Sequence, residues 1–258
     1  MSTEEFLMRY IYFALIVLSS SLGALQYLIP DDHPAKALLD EITATKKYSV
    51  FHDMETMTKA GFEYADAQPT TGIIVTRHPR LPGYIIKAYL DTQKYYSGRS
   101  EDYYWEKRAE GARLIQQAID DYGFEHLLKV PQKWIYELPS AKSVKLPKNC
   151  YPKRSILIED DMDIVSDEEN RALWASPQAT HELLYALHTV ITKYRFRDCA
   201  KPANCPFSDD GRVALVDTQS FYKKKIGYSK LTKFLIPSMQ QYWKSLSHVG
   251  VEGDQLIP

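Results

Sequence analysis

Two short runs of β-branched residues, joined by a turn, constrain the fold of this chain more than any other feature. The runs are Ile73–Thr76 in "GIIVTR" and Tyr84–Tyr89 in "GYIIKAYL", and "HPRLPG" separates them. β-Branched and aromatic residues favour strands, whereas the prolines and the glycine between the runs favour a turn. The pattern therefore predicts a β-hairpin with a long loop.

The segments around this hairpin predict a strand-rich first half. Short helices are expected at Ala35–Thr43 and Met54–Ala60. A longer helix should follow the hairpin, because Ser100 is a suitable N-cap, acidic residues fill the next turn and Gly123 stands at its end. Two strand-like stretches, "LLKVPQKWIYELP" and "RSILIEDDMDIV", complete this half at about Ile164.

The second half has a different pattern. Leu183, Leu184 and Leu187 recur at three- and four-residue steps in "SPQATHELLYALHTVITKYRF", which predicts an amphipathic helix. A short apolar strand is expected in "GRVALVDT", and a helix around Ser238–Leu246. The chain is therefore predicted to be α+β, with a strand-rich part followed by a helix-rich part.

The N-terminal region predicts a segment with a separate role. Tyr10–Ile29 contains 20 residues without a charge, which is enough to span a bilayer. The apolar stretch and the small residues of "SSSLGA" are equally typical of a signal peptide, and a buried helix is the third alternative. We expect residues 1–30 to be a signal peptide or membrane anchor and the protein to be secreted or membrane-anchored, on an undetermined side of the membrane.

Charge and cysteine content exclude two classes of function. The formal net charge is -1 and the two signs are mixed along the chain, so no nucleic-acid partner is predicted. Cys150, Cys199 and Cys205 are an odd number, and no second Cys or His pair completes a zinc site. Free thiols are the favoured interpretation.

Residues suited to phosphoryl transfer cluster in "YRFRDCAKPANCPFSDDGRVALVDTQ". Asp198, Lys201 and Asn204 follow a predicted helix in one loop, and Asp217 ends a short apolar strand. A loop carboxylate can accept the proton of a hydroxyl nucleophile. Carboxylate and carboxamide oxygens suit Mg²⁺, and a nearby lysine can neutralise a phosphoryl group in transfer.

Three more charged residues precede this loop in the chain. Lys87 lies inside the apolar strand "YIIKAY", and Glu106 and Glu110 are four residues apart on the following helix. Because residues four apart share a helix face, either carboxylate is a candidate to reach a lysine on the adjacent sheet.

The order of these residues resembles that of the protein-kinase superfamily, in particular small, divergent bacterial effector kinases. The resemblance implies that Lys87 contacts the phosphates of ATP and that Glu106 or Glu110 is its helix partner. It implies that Asp198, preceded by Arg197, is the catalytic aspartate. The remaining assignments are Lys201 as the lysine of the catalytic loop, Asn204 and Asp217 as metal ligands, and Ile158 and Glu159 beside the adenine.

The sequence also departs from the kinase pattern. The spacing from Asp198 to Asn204 is one residue longer, Asp217-Thr218-Gln219 replaces Asp-Phe-Gly, and no Gly-x-Gly-x-x-Gly precedes Lys87. In place of the glycine-rich loop, "TRHPRLPG" offers His78 and Arg80 as phosphate contacts. We expect a two-lobed kinase-like domain over residues 31–258, with a strand-rich N-lobe at about 31–163 and a reduced helical C-lobe at about 164–258.

The expected function is ATP- and magnesium-dependent phosphoryl transfer to a Ser, Thr or Tyr hydroxyl of a protein substrate. One alternative is a non-catalytic, kinase-like binding module at a membrane, with Tyr10–Ile29 providing the membrane association. A small-molecule kinase of the aminoglycoside type is the other alternative.

Overall fold

The computed structural model describes residues 26–44, 49–66, 72–94, 99–139 and 145–252. Its helices are Lys36–Thr43 (α1), Met54–Lys59 (α2), Glu101–Tyr122 (α3), Asp167–Trp174 (α4), His181–Lys193 (α5), Ser229–Thr232 (α6) and Pro237–Glu252 (α7). Its strands are Glu63–Asp66 (β1), Ile74–Arg77 (β2), Tyr84–Ala88 (β3), Leu128–Lys129 (β4), Lys133–Glu137 (β5), Ser155–Asp160 (β6) and Val213–Ala214 (β7). The predicted α+β class is confirmed.

A five-stranded antiparallel sheet in the order β1-β2-β3-β6-β5 forms the N-terminal part of the fold. The predicted hairpin is β2–β3, in which each strand begins or ends within one residue of its expected bounds. Strand β6 lies inside the sheet, and its residues are buried along almost its whole length. This burial explains its nearly continuous apolar sequence "SILIE", since a strand covered on both faces has no need to alternate.

The register of the sheet places three charged residues on one face. Glu159 of β6 pairs with Lys133 of β5 on one side and with Ile85 of β3 on the other. Lys87 is two residues beyond Ile85, and residues two apart in a strand point to the same face. Strand pairing alone therefore brings two lysines and a glutamate together.

Helix α3 connects the sheet to the helix-rich part. Trp105 is completely buried, and its indole N–H donates to the carbonyl of Ser155 on β6 at 3.3 Å. Further along the same helix, Ile115 packs in an apolar core that also contains Leu187 of α5 and Trp243 of α7. One helix is thus fixed by both parts of the protein, and side chains along it are positioned between them.

The ends of α3 agree with the sequence in part. Gly123 ends the helix in the left-handed conformation, with φ of 70°, as the C-terminal signal predicted. Ser100 has the extended backbone of an N-cap, but its side chain makes no capping hydrogen bond. Helix α4 was not predicted; it begins at Ser166, whose side chain accepts from the backbone N–H of Glu169.

The last residues of the predicted leader belong to the folded part of the protein. The backbone N–H of Ile29 donates to Ile135 at 2.9 Å, and the N–H of Ile135 donates to Tyr27 at 2.7 Å. These bonds add a short parallel segment beside β5, and the side chain of Ile29 is buried. Residues 10–25 of the predicted apolar segment lie outside the described residues. Within the described ranges, no helix is both long and apolar enough to cross a bilayer.

Candidate functional site

A cleft of about 550 Å³ opens between the sheet and the segments that follow it. Lys87 and Glu159 line it from the sheet, Met162 from the connection to the helix-rich part, and Ala203 and Val216 from the other side. Ala203 and Val216 directly precede Asn204 and Asp217. The cleft therefore has a sheet lysine on one wall and the neighbours of two predicted metal ligands on the opposite wall.

At the base of the cleft, Glu159 is shared by two lysines. Its carboxylate lies 2.6 Å from Lys87 Nζ and 2.7 Å from Lys133 Nζ. The Lys133 side chain is completely buried, and those of Lys87 and Glu159 are 10% and 5% exposed. Burial raises the pKa of Glu159, but the charges of Lys133 and Lys87 outweigh this effect and lower the pKa overall. Burial lowers the pKa of Lys133, and Glu159 opposes that shift.

Lys133 also connects the sheet to the segment that carries Asp217. Its ammonium group donates to the carbonyl of Val216 at 2.8 Å. The backbone N–H of Val216 donates to the carbonyl of Asn204 at 3.0 Å, and the Asn204 side-chain nitrogen donates to the carbonyl of Asp198 at 3.0 Å. A continuous series of polar contacts therefore runs from Lys87 through Glu159 to the loop that contains Asp198.

Asp217 is held by helix α3. Its carboxylate accepts from Arg108 at 2.7 Å, and the hydroxyl of the next residue, Thr218, donates to the Arg108 carbonyl at 2.5 Å. Burial raises the pKa of Asp217, but the positive charges of Arg108, Lys87 and Lys133 lower it below its ordinary value. Thr218 is completely buried where the kinase pattern has phenylalanine.

Gly111 allows this close approach of α3 to the Asp217 segment. A Cβ at Gly111 would lie 1.8 Å from the carbonyl oxygen of Thr218, far inside the contact distance. Glycine is therefore required for packing in the middle of this helix, where it costs about 1 kcal/mol of helix propensity relative to alanine.

The loop after α5 places Asp198 between two cations. Lys230 of α6 donates to one carboxylate oxygen, and Arg197 Nε donates to the other at 3.1 Å. Burial raises the pKa of Asp198, but these two hydrogen bonds lower it overall. Asp198 is thus ionised at neutral pH, with each carboxylate oxygen bonded to one cation.

Lys201 lies on the same loop with its side chain exposed to solvent. Its backbone carbonyl accepts from Asn204 at 2.7 Å, at the start of a single 3₁₀ turn over Pro202–Asn204.

The two helix glutamates do not contact Lys87. Glu110 pairs with Arg113 at 2.9 Å and accepts from the hydroxyl of Tyr27. Glu106 is half-buried, and burial followed by the charge of Asp102 raises its pKa. The expected pairing of a helix glutamate with Lys87 is therefore replaced in the structure by the pairing with Glu159.

The hairpin loop also differs from expectation. His78 is buried, and its ring lies 3.1 Å from the carbonyl of Ala60. Arg80 makes a bidentate pair with Glu41, at 2.9 and 2.8 Å. Arg77 is the arginine of "TRHPRLPG" that lines the cleft, where it pairs with Asp161.

The side-chain oxygens near the cleft can hold a metal ion only if a bound phosphate compound supplies further oxygens. In the described part of the chain, no group of three or more His, Cys, Asp or Glu residues could hold a metal ion. The recorded hydrogen bond of the Asn204 side chain uses its nitrogen, which leaves the carboxamide oxygen as a donor atom for a metal. Mg²⁺ often takes one or two protein oxygens and completes its shell with phosphates and water, so Asn204 and Asp217 fit such a site.

Arg108 and Lys133 are the site residues that the sequence interpretation missed. Arg108 directly follows Lys107 in the charged helical segment "YYWEKRAEGAR", where nothing in the local sequence distinguishes it. Lys133 alternates with Ile135 in β5, and this inward-facing position was the available signal. No protein-family model matches the chain, and no curated protein matches it significantly.

Proposed function

We propose that this protein is a two-lobed, protein-kinase-like phosphotransferase that transfers the γ-phosphoryl group of ATP to a hydroxyl of a protein. The observation that carries the proposal is the series of contacts from Lys87 to Asp198. In protein kinases a lysine on the third strand contacts the nucleotide phosphates, and loop Asp and Asn residues and a later Asp serve the acceptor and the metal. Lys87 lies on β3, and the other three residues follow in that order.

Each residue has a role that follows from its position. Lys87 lines the cleft and would contact the phosphates, with Glu159 holding its ammonium group in place of a helix glutamate. Asp198 would orient and deprotonate the acceptor hydroxyl. Lys201, exposed on the same loop, would offset charge on the transferred group.

Asn204 and Asp217 would hold Mg²⁺, which supplies charge neutralisation at the phosphates when it is bound. The bond to Arg108 occupies one carboxylate oxygen of Asp217 and leaves the second oxygen for the metal. Arg108 would therefore orient the Asp217 carboxylate at the metal site.

A second function is favoured by specific contacts. Asp217 is paired with Arg108, and Asp198 is clamped by Arg197 and Lys230. Both acidic side chains thus have protein partners, an arrangement that also suits a non-catalytic binding module with a kinase-like fold. Membrane association of either form through Tyr10–Ile29 remains a prediction.

Two measurements separate these functions. The first is transfer of labelled phosphate from ATP to a mixed peptide substrate, with wild-type protein, Asp198→Asn and Asp217→Asn. We expect transfer by the wild type and a loss of at least about a hundredfold in each variant, typical of removing an acid–base or electrostatic group. Lys244→Gln, a change of an exposed lysine on α7, is the matched control and should retain activity.

The second measurement is the thermal stabilisation of each protein by ATP with MgCl₂. Asp198→Asn should retain the shift, whereas Asp217→Asn should lose most of it, because only Asp217 is assigned to the metal. No stabilisation of the wild type and no transfer would reject the phosphotransferase and support the binding module. Stabilisation that depends on Asp217, without transfer, would show that the protein binds nucleotide but does not use it on these acceptors.

A further inference from the structure

A second cavity, which we call the cationic pocket, lies beside α3 and has a volume of about 480 Å³. Arg99, Lys107, Arg108, Arg197 and Lys223 line it, together with tyrosines that include Tyr103. Among the described residues that line it, five are cationic and none is acidic. Cations gathered without carboxylates repel one another, so this arrangement favours an anion in the pocket.

Within the described ranges, only two of the five cations that line the pocket have carboxylate partners. Arg108 and Arg197 have carboxylate partners in Asp217 and Asp198. Arg99, Lys107 and Lys223 form no ion pair with any residue that the structure describes. Two of these three lie over aromatic rings, which keep them in place without neutralising them. Arg99 is 4.2 Å from the ring of Tyr103, and Lys107 is 4.7 Å from that of Phe221.

Arg108 provides an independent indication of a missing partner. Its side chain is 7% exposed, and its buried Nε has no hydrogen-bond acceptor among the described residues. A buried donor left unsatisfied is costly, so such groups are rare in folded proteins. An oxyanion in the pocket would supply the acceptor that the protein lacks.

We propose that the cationic pocket binds the phosphate monoester of an already phosphorylated acceptor peptide, so that the protein prefers phosphorylated substrates. This inference rests on the proposed function. Phosphate matches the pocket better than a single carboxylate, because a phosphoseryl group carries nearly two charges and three acceptor oxygens. A guanidinium group binds one phosphate through two parallel hydrogen bonds. Arg108 on α3 and Arg197 on the loop after α5 reach the pocket from separate segments, so they approach a phosphate from different directions.

The location of the pocket gives this phosphate a role. Arg197 lines the pocket and donates to Asp198, the residue assigned to the acceptor hydroxyl. A phosphate held by Arg197 is therefore close in space to the proposed catalytic carboxylate. The bound phosphate would fix the peptide so that a neighbouring hydroxyl reaches Asp198.

The test is a binding measurement that needs no ATP. Fluorescence polarisation follows the full chain with a fluorescein-labelled phosphoserine peptide of degenerate flanking sequence. The unphosphorylated peptide and a glutamate-substituted peptide serve as comparisons. We expect the phosphopeptide to bind at least about tenfold more tightly than either, since hydrogen bonds to a charged group typically contribute that much or more.

Two variants with the same change of charge localise the binding. The double variant Lys107→Gln, Lys223→Gln removes two cations from the pocket, whereas Lys233→Gln, Lys244→Gln removes two lysines elsewhere. The first should weaken phosphopeptide binding about tenfold and reduce its dependence on salt, and the second should leave both within about twofold. Equal effects of the two variants, or equal binding of phosphorylated and unphosphorylated peptide, would overturn the proposal.

Two further measurements complete the test. One distinguishes a peptide phosphate from a lipid phosphate, and the other distinguishes failure of the pocket assignment from failure of the proposed kinase function. Binding only to phosphatidylcholine vesicles that contain a phosphatidylinositol phosphate, and not to the peptide, would reject a peptide occupant. Asp198→Asn should retain phosphopeptide binding while it loses transfer. Binding without transfer in the wild type would reject the kinase function and leave the pocket assignment standing, whereas transfer without selective binding would do the reverse.

Discussion

The cleft and the cationic pocket differ in how their charged side chains are paired. In the cleft, Glu159 pairs with Lys87 and Lys133, and almost no part of these side chains is exposed. In the pocket, Lys107 and Lys223 have no carboxylate partner in the described part of the chain. Buried charges must be paired to be tolerated, whereas partly solvated charges can remain unpaired until a ligand arrives.

Arg108 lines the pocket and also pairs with Asp217, which directly follows the cleft residue Val216. Two nitrogens of its guanidinium group show the difference between the two regions. One terminal nitrogen is paired with Asp217 on the side of the cleft, while Nε is buried without an acceptor. The comparison indicates that the ion pairs of the cleft maintain its geometry and that the excess charge of the pocket serves recognition.

The largest effect is expected for Glu159→Gln. A neutral side chain would leave Lys87 and Lys133 close together without a counter-charge, and breaking a buried ion pair typically costs about 3–5 kcal/mol. We expect that loss in the free energy of unfolding, measured by urea titration. Glu55→Gln removes a carboxylate from an exposed pair with Lys59 and is the control, with little change expected. Similar losses in both variants would show that the cleft network has no special role.

The next largest effect is expected for Gly111→Ala. The added Cβ meets a backbone carbonyl at 1.8 Å, so α3 and the Thr218 segment must move apart. Overpacking typically costs about 1–3 kcal/mol and outweighs the propensity gain of about 1 kcal/mol from replacing glycine in a helix. Gln117→Ala, on the exposed face of the same helix, should change stability by no more than about 0.5 kcal/mol. A stabilised Gly111→Ala protein would contradict the packing described here.

Local patterns predicted much of the fold. The hairpin β2–β3 and helix α3 were readable because strand and helix periodicities, turns and a terminal glycine are features of adjacent residues. Helix α4 was missed because eight residues with three acids in the first turn carry little apolar periodicity. Its stability comes from distant contacts, such as that of the Asn170 side chain with the carbonyl of Pro202.

The roles assigned to Lys87, Asn204 and Asp217 stay predictions. The structure shows that Lys87 lines the cleft and that Asn204 and Asp217 follow its lining residues Ala203 and Val216. The carboxylate partner of Lys87 was misassigned, because the four-residue spacing of Glu106 and Glu110 shows that they share a face but not what that face contacts. The pairing with Glu159 depends on strand register, and the role of Arg108 depends on how α3 packs on the Asp217 segment.

A smaller effect, with a defined pH dependence, is expected for Asp198→Asn. The folded-state pKa of Asp198 is below its ordinary value, so its contribution to stability is complete above the unfolded-state pKa and is lost as the pH falls through the folded one. We expect the variant to be about 1 kcal/mol less stable than the wild type at pH 7, and the difference to shrink as the pH falls below the unfolded-state pKa of this carboxyl group.

Urea unfolding at a series of pH values would measure this difference, with Glu182→Gln as a control on an exposed carboxylate. A difference that persists at low pH would mean that asparagine alters packing rather than charge. In that event the contacts with Lys230 and Arg197 would not be the cause of the lower stability of the variant.

The smallest effect is expected for Tyr27→Phe, which tests whether the segment before residue 30 influences the cationic pocket. The Tyr27 hydroxyl donates to Glu110, and its loss should cost about 0.5–1.5 kcal/mol, because Glu110 retains its pair with Arg113. Since Tyr27 and Glu110 do not line the cationic pocket, phosphopeptide binding should be unchanged. A change in that binding would show that the segment before residue 30 influences the pocket through α3.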